Sequence, residues 1–326
     1  MNKLLLLVLS IFSLPILAQT QKPTDPLAHT FSIVARDSAT GEMAVGVQSH
    51  WFSVGTVVAW GDPGVGVVAT QSFANISFGP RGLQLMGAGI SPDVALQGLI
   101  AADEARDFRQ VALLNAKGEV AVHTGAKCIA YAGHVKGTDF SVQANMMLNN
   151  TVPDAMAKAF RENAKLPLAE RVLAALQAAQ AAGGDIRGRQ SAALLVVSGD
   201  KPANSWEGRL VDLRVDDHQQ PLQELTRLLK VHRAYEHMNK GDLYVEENNM
   251  PEAMREYSAA EAMFPDNLEM KYWHAITLAN NDKVDEAAKM LQPIYTQDPN
   301  WRELTRRLPK SGLLNVKDEE LEKLVR

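Results

Sequence analysis

Between Thr30 and Ser72 the chain runs through four short β-type segments, TFSIVAR, EMAVGVQS, SVGTVVAW and GVGVVATQS, with almost nothing between them. Asp37, Ser38 and Gly41 separate the first two, and Gly61-Asp62-Pro63-Gly64 separates the last two. Connections this short make hairpins, because a parallel crossover needs a dozen or more residues. The chain must therefore build antiparallel sheets.

The spacing then turns helical through Leu83, Leu85 and Met86, and Ser91-Pro92-Asp93 opens a second helix through Val94, Leu96, Leu99 and Ile100. Strands return in RQVALLNAKGEVAVHTG, a hairpin turning at Ala116-Lys117-Gly118, and in FSVQANMM. Two helices are expected over 152–163 and 167–182, and SAALLVVSG and GRLVDLRV are the last strands. Strands, helices, strands, helices, strands is the order of an α+β layered sandwich of antiparallel sheets, not of a Rossmann-type fold.

From about residue 222 the chain reads as helix and repeats itself. With Ala234 opening a 34-residue unit, Gly241, Tyr244, Ala253, Tyr257, Ala260 and Pro265 fall where a second unit from Leu268 has Ala275, Leu278, Ala287, Leu291, Ile294 and Pro299. That is the tetratricopeptide pattern, in which small residues let paired helices approach and a proline ends the unit. Two units are few to stand alone, so they are expected to pack on the preceding domain or on a helix around 222–232, with Trp301 to Leu308 as a cap. The expected boundaries are 1–18, 19–29, 30–229 and 230–326.

Residues 1–18, MNKLLLLVLSIFSLPILA, have one lysine, an apolar run and a small residue at Ala18, the layout of a cleavable secretory signal. The expected location is thus periplasmic or extracellular. Residues 19–29 read as a disordered lead-in, and no later segment is apolar enough over the length of a membrane span. A formal net charge of -5 without a basic run gives no footprint for nucleic acid. Cys128, the single cysteine, excludes an internal disulfide and reads as a buried small hydrophobe.

Chemistry-bearing residues gather at strand ends. Thr30 begins a strand, where a β-favouring residue is ordinary. Were the chain cut before it, its new α-amine, with a pKa near about 8, could serve as the base that a hydroxyl nucleophile needs. Thr70, Gln71, Asn75 and Arg81 lie at a strand end and the following helix start, where neutral donors could polarise a carbonyl and Arg81 could hold an anion. Asp185 is spaced to pair with Arg187 or Arg189 in the glycine-rich turn GGDIRGRQSA, which fits neither the Walker nor the dinucleotide pattern. Asp216, Asp217 and His218 are adjacent on a strand end and so point to opposite faces, and His123, Cys128 and His134 have no zinc-module spacing. No metal site and no cofactor is expected.

HTFSIVARD, GVGVVATQSFANISFGPRGL, HTGAKC, FSVQANMM, GGDIRGRQSAALLVV and LRVDDH, in that order, resemble the bacterial family called domain of unknown function 1028, over roughly Thr30 to Leu229. The resemblance implies a fold related to the N-terminal nucleophile hydrolases, a four-layer αββα sandwich whose members cleave amide bonds with a Thr, Ser or Cys at a processed N-terminus. Relatives beginning Met-Thr-Phe-Ser would expose the equivalent of Thr30 on losing methionine. Here residues 19–29 would remain after signal cleavage, so a second cut is required.

Two functions are compatible with these residues. One is an exported amide-bond hydrolase acting on a small amide or peptide. Thr30 would attack, and Thr70, Gln71, Asn75 or Asn145 would supply an oxyanion donor. Ser49, Asp185 and Arg187 would orient the site, while His50, Arg81, Gln190 and His218 would bind substrate. The other is a non-catalytic module that engages a protein partner through the helical repeats, with a homodimer compatible with either.

Overall fold

The computed structural model describes residues 25–204 and 206–326, so the expected signal segment and most of the lead-in lie outside the described residues. In chain order the first elements are β1 (Leu27–Ala28), β2 (Thr30–Arg36), β3 (Met43–Ser49), α1 (Gly55–Val58), β4 (Ala59–Asp62) and β5 (Gly66–Phe73). Next come α2 (Phe78–Gly87), α3 (Pro92–Ala101), β6 (Arg109–Asn115), β7 (Val120–Thr124), β8 (Gly133–Gly137) and β9 (Phe140–Ala144). Then follow α4 (Val152–Glu162), α5 (Leu168–Ala181), β10 (Ser191–Val197) and β11 (Arg209–Val215). The remainder is helical: α6 (Pro221–Glu246), α7 (Met250–Met263), α8 (Leu268–Asn280), α9 (Val284–Gln297), α10 (Asn300–Ser311) and α11 (Asp318–Leu324).

The strands form two antiparallel sheets, one ordered β11-β10-β3-β2-β9-β8 and the other β1-β5-β6-β7 with β4 also on β5. Strand alternation assigns each face its neighbour. Phe31, Ile33 and Ala35 of β2 pack with Phe140 and Val142 of β9 under Met156 of α4 and Val172 of α5. Val34, between them, turns the other way and meets Val45, Val47, Val67, Ala69, Ala112 and Leu114 between the sheets. On the far side of the second sheet, Val68, Val111 and Leu113 pack under Phe78 and Met86 of α2 and Leu96 and Leu99 of α3. Gly46 of β3 faces α5 because a Cβ there would come within 2.3 Å of Val172.

Several elements differ from expectation, among them β8, a strand the sequence pattern does not mark. In SVGTVVAW the first half is the helical turn α1, and only Ala59–Asp62 is strand. From Asp25 on, the expected disordered lead-in is paired: Leu27 lies opposite Phe73 and Ala28 opposite Ser72. Pairing to an existing sheet edge orders a segment that has little structural preference of its own. Nor does the chain break near residue 230. α6 is one 26-residue helix. Its Leu222, Leu225 and Leu229 pack on the sheet side, and its Ala234 and Met238 on the helical side. No proline or glycine interrupts the apolar stripe between Leu222 and Met238, so the helix carries through.

Beyond α6 the region is all helical. Gly241 lies against Tyr257 of α7, where a Cβ would meet the ring at 2.6 Å. Tyr272, Leu278, Ala287, Leu291 and Ile294 form the next core, with Leu308 of α10 closing it and Trp301 against the Tyr272 ring at 4.7 Å. Arg233 of α6 binds Glu170 of α5 through Nε and Nη2 at 2.8 and 2.9 Å, which fixes the long helix on the layered part. No helix among the described residues is long and apolar enough to cross a membrane.

Candidate functional site

The space between the sheets is apolar at one end and polar at the other. On β2 the face that carries Val34 also carries Ser32 and Thr30, and on β5 the face with Val67 and Ala69 ends in Gln71. The same step occurs on β6, from Leu114 and Ala112 to Gln110, while the corresponding face of β9 is polar throughout, with Ser141 and Gln143 leading to Asn145. Thr30, Ser32, Gln71, Gln110, Gln143 and Asn145 are all fully buried. Burial of so many polar groups is tolerable only if they bind one another.

They do so around Gln110. Its Oε1 accepts from Gln71 Nε2 at 2.7 Å and Asn145 Nδ2 at 2.9 Å, and its Nε2 donates to Thr124 Oγ1 and to the carbonyls of Gly133 and Ala144. The network grips the first residue of β2. The Thr30 carbonyl accepts from the Asn145 backbone N–H at 3.1 Å, from Gln71 Nε2 at 3.2 Å and from Asn145 Nδ2 at 3.4 Å. Gln143 Nε2 donates to Ser32 Oγ at 2.6 Å, one step further in. Gln71 Oε1 is buried without a hydrogen-bond partner.

Thr30 joins His29, the residue at which the chain passes from one sheet to the other. The His29 carbonyl accepts from Ser49 Oγ at 2.6 Å and from Arg187 Nη2 at 2.7 Å. Arg187 is held by Asp185, with Nε to Oδ1 at 3.0 Å and Nη2 to Oδ2 at 2.7 Å, and Asp185 also accepts the backbone N–H groups of Arg187 and His50. Thr30 Oγ1 donates to the Ala28 carbonyl at 2.9 Å. The imidazole of His29 is buried edge-on to Phe73 at 5.4 Å, and its Nδ1 lies 2.7 Å from Asn145 Oδ1. Asn145 Nδ2 donates to Gln110, so Oδ1 must accept and Nδ1 carries the proton. Burial holds the His29 pKa below its ordinary value, although the bond to Asn145 acts the other way.

The segment before Thr30 is anchored along its length. Ala74 N–H donates to the Pro26 carbonyl at 3.0 Å, and Arg109 Nη2 binds the Asp25 carboxylate at 2.9 Å. Arg109 is itself buried, with Nε on Asp103 at 2.7 Å and Nη1 on the Phe73 carbonyl at 2.6 Å. Burial raises the Asp103 carboxyl, but hydrogen bonds from Arg109, Ala105 and Asn75 outweigh it and leave the pKa below the ordinary value. Ser72, opposite Ala28, has a φ of 73°, a left-handed conformation uncommon outside glycine.

The expected site residues thus fall into distinct places. Thr30, Ser49, Gln71, Asn145, Asp185 and Arg187 converge on the His29–Thr30 peptide. The donors on the carbonyl before Thr30 are Ser49 and Arg187, whereas Gln71 and Asn145 hold the Thr30 carbonyl. Asn75 binds Asp103 and Ser77, and Thr70 binds the Asn75 carbonyl, so both belong to the anchoring of the preceding segment. Arg81 is exposed on α2 and touches none of these groups. His50 meets the site through its backbone N–H alone, and its ring is exposed. Gln190 and His218 join through their backbones, Gln190 N–H to the Ser49 carbonyl and His218 N–H to the Gln190 carbonyl. Arg189, the other candidate partner of Asp185, binds Gln220 instead.

His29, Gln110, Gln143, Asp103, Arg109 and Asp25 were not singled out by sequence. A signal for one of them existed. Gln110 stands in line with Ala112 and Leu114 on the inward face of RQVALLN, where an uncharged amide is out of place unless it has a buried partner. Cys128 is half-buried, donates to the Arg109 carbonyl at 3.4 Å, and has its thiol pKa raised by burial. Among the described residues no group of three or more His, Cys, Asp or Glu side chains could hold a metal ion.

Two antiparallel sheets packed face to face with outer helices, followed by an all-helical region, define an α+β protein with a buried polar cluster at the start of a strand. Residues 30–225 match the model of a family of unknown function, DUF1028, and the chain belongs to that family. The crystal structure of protein SPO2555 from Silicibacter pomeroyi, of the same family, is similar with a TM-score of 0.56 and 33% identity, over 62% of this chain and 85% of that one. No curated protein matches the chain.

Proposed function

We propose that this protein is an exported amide-bond hydrolase of the N-terminal nucleophile type, with Thr30 as nucleophile once the His29–Thr30 bond is cut. The observation that carries the reading is the environment of the His29 carbonyl. Its oxygen faces a hydroxyl and a guanidinium at 2.6 and 2.7 Å, the donors that an oxyanion needs, and the hydroxyl of the next residue belongs to Thr30. The helix, sheet, sheet, helix order of the cores supports relating the fold to the four-layer αββα hydrolases, an argument by analogy of fold.

The cut can be made by the chain itself. Thr30 Oγ1 attacks the His29 carbonyl carbon, the new C–O bond replaces the C–N bond, and the hydroxyl proton ends on the Thr30 nitrogen. Water then hydrolyses the ester, releasing His29 as a carboxylic acid and restoring the hydroxyl. The freed α-amine, with a pKa near about 8, is afterwards the base for attack on a substrate amide, and Ser49 and Arg187 receive the substrate oxygen. Gln71 and Asn145, themselves tied together by Gln110, hold Thr30 in place by its carbonyl.

The second reading is a non-catalytic module. It is favoured by the engagement of the Thr30 hydroxyl with Ala28 and its complete burial in the intact chain. Under either reading the helical region is tetratricopeptide-like and serves a protein partner. Its support is the pairing of α6 with α7 and of α8 with α9, with Gly241 of α6 directly against the Tyr257 ring of α7. Intact mass and N-terminal sequencing of protein exported by its native host decide between the two. A species beginning at Thr30, absent from Thr30→Ala, is expected; chains that all retain His29 would overturn the hydrolase.

A further inference from the structure

We infer that Asp25 to His29 occupy the acyl side of the substrate cleft, and that the processed protein takes extended peptides with a carboxylate four residues before a hydrogen-bonding ring at the scissile bond. This rests on the reading of Thr30 as the released nucleophile. It adds what that reading lacks, a substrate class.

The segment is bound as a ligand would be. β1 pairs with β5 only at Ser72 and Phe73, whereas β4 covers the same edge of β5 further along, at Gly66 to Ala69. Departure of β1 would leave a short stretch of sheet edge, with the Ala74 N–H beside it, open to another extended chain. Around that stretch each position has its own fitting. The carboxylate of Asp25 meets Arg109, a buried cation that keeps Asp103 as a second partner and so stays charged and oriented without Asp25. Leu27 is largely exposed, so its position selects little. Ala28 is fully buried between the sheets, so its position takes a small side chain. The His29 ring sits against Phe73 with a polar edge on Asn145, and its carbonyl already lies on the two donors that the chemistry requires.

A cleft shaped around its own leader selects substrates like that leader. The peptide Asp-Pro-Leu-Ala-His, carrying a fluorogenic amide at its C-terminal carbonyl, is the probe. The processed protein is expected to hydrolyse it, with kcat/KM falling about tenfold or more when alanine replaces its aspartate and when leucine replaces its alanine. Hydrolysis indifferent to both changes would overturn the inference. So would no hydrolysis of the probe by a processed protein that cleaves other amides.

A binding arm is independent of processing. In the full chain, Ala28→Glu expels β1 by placing a charge in the inter-sheet core, and Asp25→Lys with Leu27→Pro loosens it through two exposed positions should the first variant not fold. A labelled Asp-Pro-Leu-Ala-His peptide, free at its C-terminus, is expected to bind either folded variant at least about tenfold more tightly than wild type, and to lose that gain when its aspartate is alanine. Binding equal to wild type in a folded variant would sink the cleft assignment. Absence of a Thr30 species with binding retained would sink the hydrolase and leave the cleft.

Discussion

Ser49 gives its hydroxyl to the carbonyl of His29 at 2.6 Å, from the position directly opposite Thr30 in the β2–β3 ladder. Register alone therefore sets a donor beside the peptide bond that precedes the threonine. Arg187 completes the pair from a separate loop.

Removing either donor is expected to slow release of Thr30. Loss of one oxyanion donor typically costs about 10²–10³ in rate, so Ser49→Ala and Arg187→Met should accumulate chain retaining His29, while Thr30→Ser still processes. Intact mass against time after synthesis reads this. Both donor variants processing at the wild-type rate would show that the carbonyl contacts are only structural.

Gln110→Leu should destabilise the protein by about 3 kcal/mol. It removes the shortest acceptor of the Gln71 and Asn145 amides, leaving them the longer bonds to the Thr30 carbonyl, and takes a donor from Thr124 and from the carbonyls of Gly133 and Ala144 in a dry interior, where each unsatisfied group costs roughly 1–3 kcal/mol before relaxation. Urea unfolding followed by circular dichroism gives the figure, and a change below about 1 kcal/mol would mean that water enters the network.

In the intact chain, before any cut at His29–Thr30, the buried imidazole of His29 makes stability depend on pH with a definite sign. Its folded pKa lies below the ordinary 6.5, so the unfolded chain binds the proton first as pH falls. The contribution is whole above about 6.5 and is lost as pH falls from there through the folded value. His29→Asn should flatten the fall in unfolding midpoint between about pH 6.5 and 5, and an unchanged slope would assign the acid sensitivity to other groups.

In the helical region, Gly241→Val is expected to cost about 1–3 kcal/mol. Its side chain must displace the Tyr257 ring, which a single added Cβ would approach to 2.6 Å. The midpoint of a calorimetric scan of the full chain should fall, and an unchanged midpoint would show that the Tyr257 ring moves aside without cost.

The hairpins, the outer helices and the helical region were readable because each rests on local periodicity. Asp37 to Gly41 and Ala116-Lys117-Gly118 carry their turn chemistry in the sequence, and α4 and α5 differ from the expected ranges by a residue at most ends. What escaped depends on partners far along the chain. Leu27–Ala28 is strand because Ser72 and Phe73 are beside it, and Gly55–Val58 is helix although two valines favour extension. At the site, Thr30, Ser49, Asp185 and Arg187 were recognised as a group. Gln71 and Asn145 are also among the expected site residues; Gln110 and Gln143, which complete the amide cluster, are not, and Gln143, alternating with apolar residues, looks solvent-facing until a second sheet covers it. Only the stacking of β5 and β6 over β2 and β9 brings Gln71, Gln110 and Asn145 together.

The unbroken α6 has a mechanical consequence. At 1.5 Å per residue, its 26 residues make a rod about 39 Å long, rooted on β10, β11 and α5 at one end and packed with α7 at the other. The helical region is carried on a strut rather than a tether. Its distance and bearing from Thr30 are fixed by the lattice of the helix, with no linker to average them.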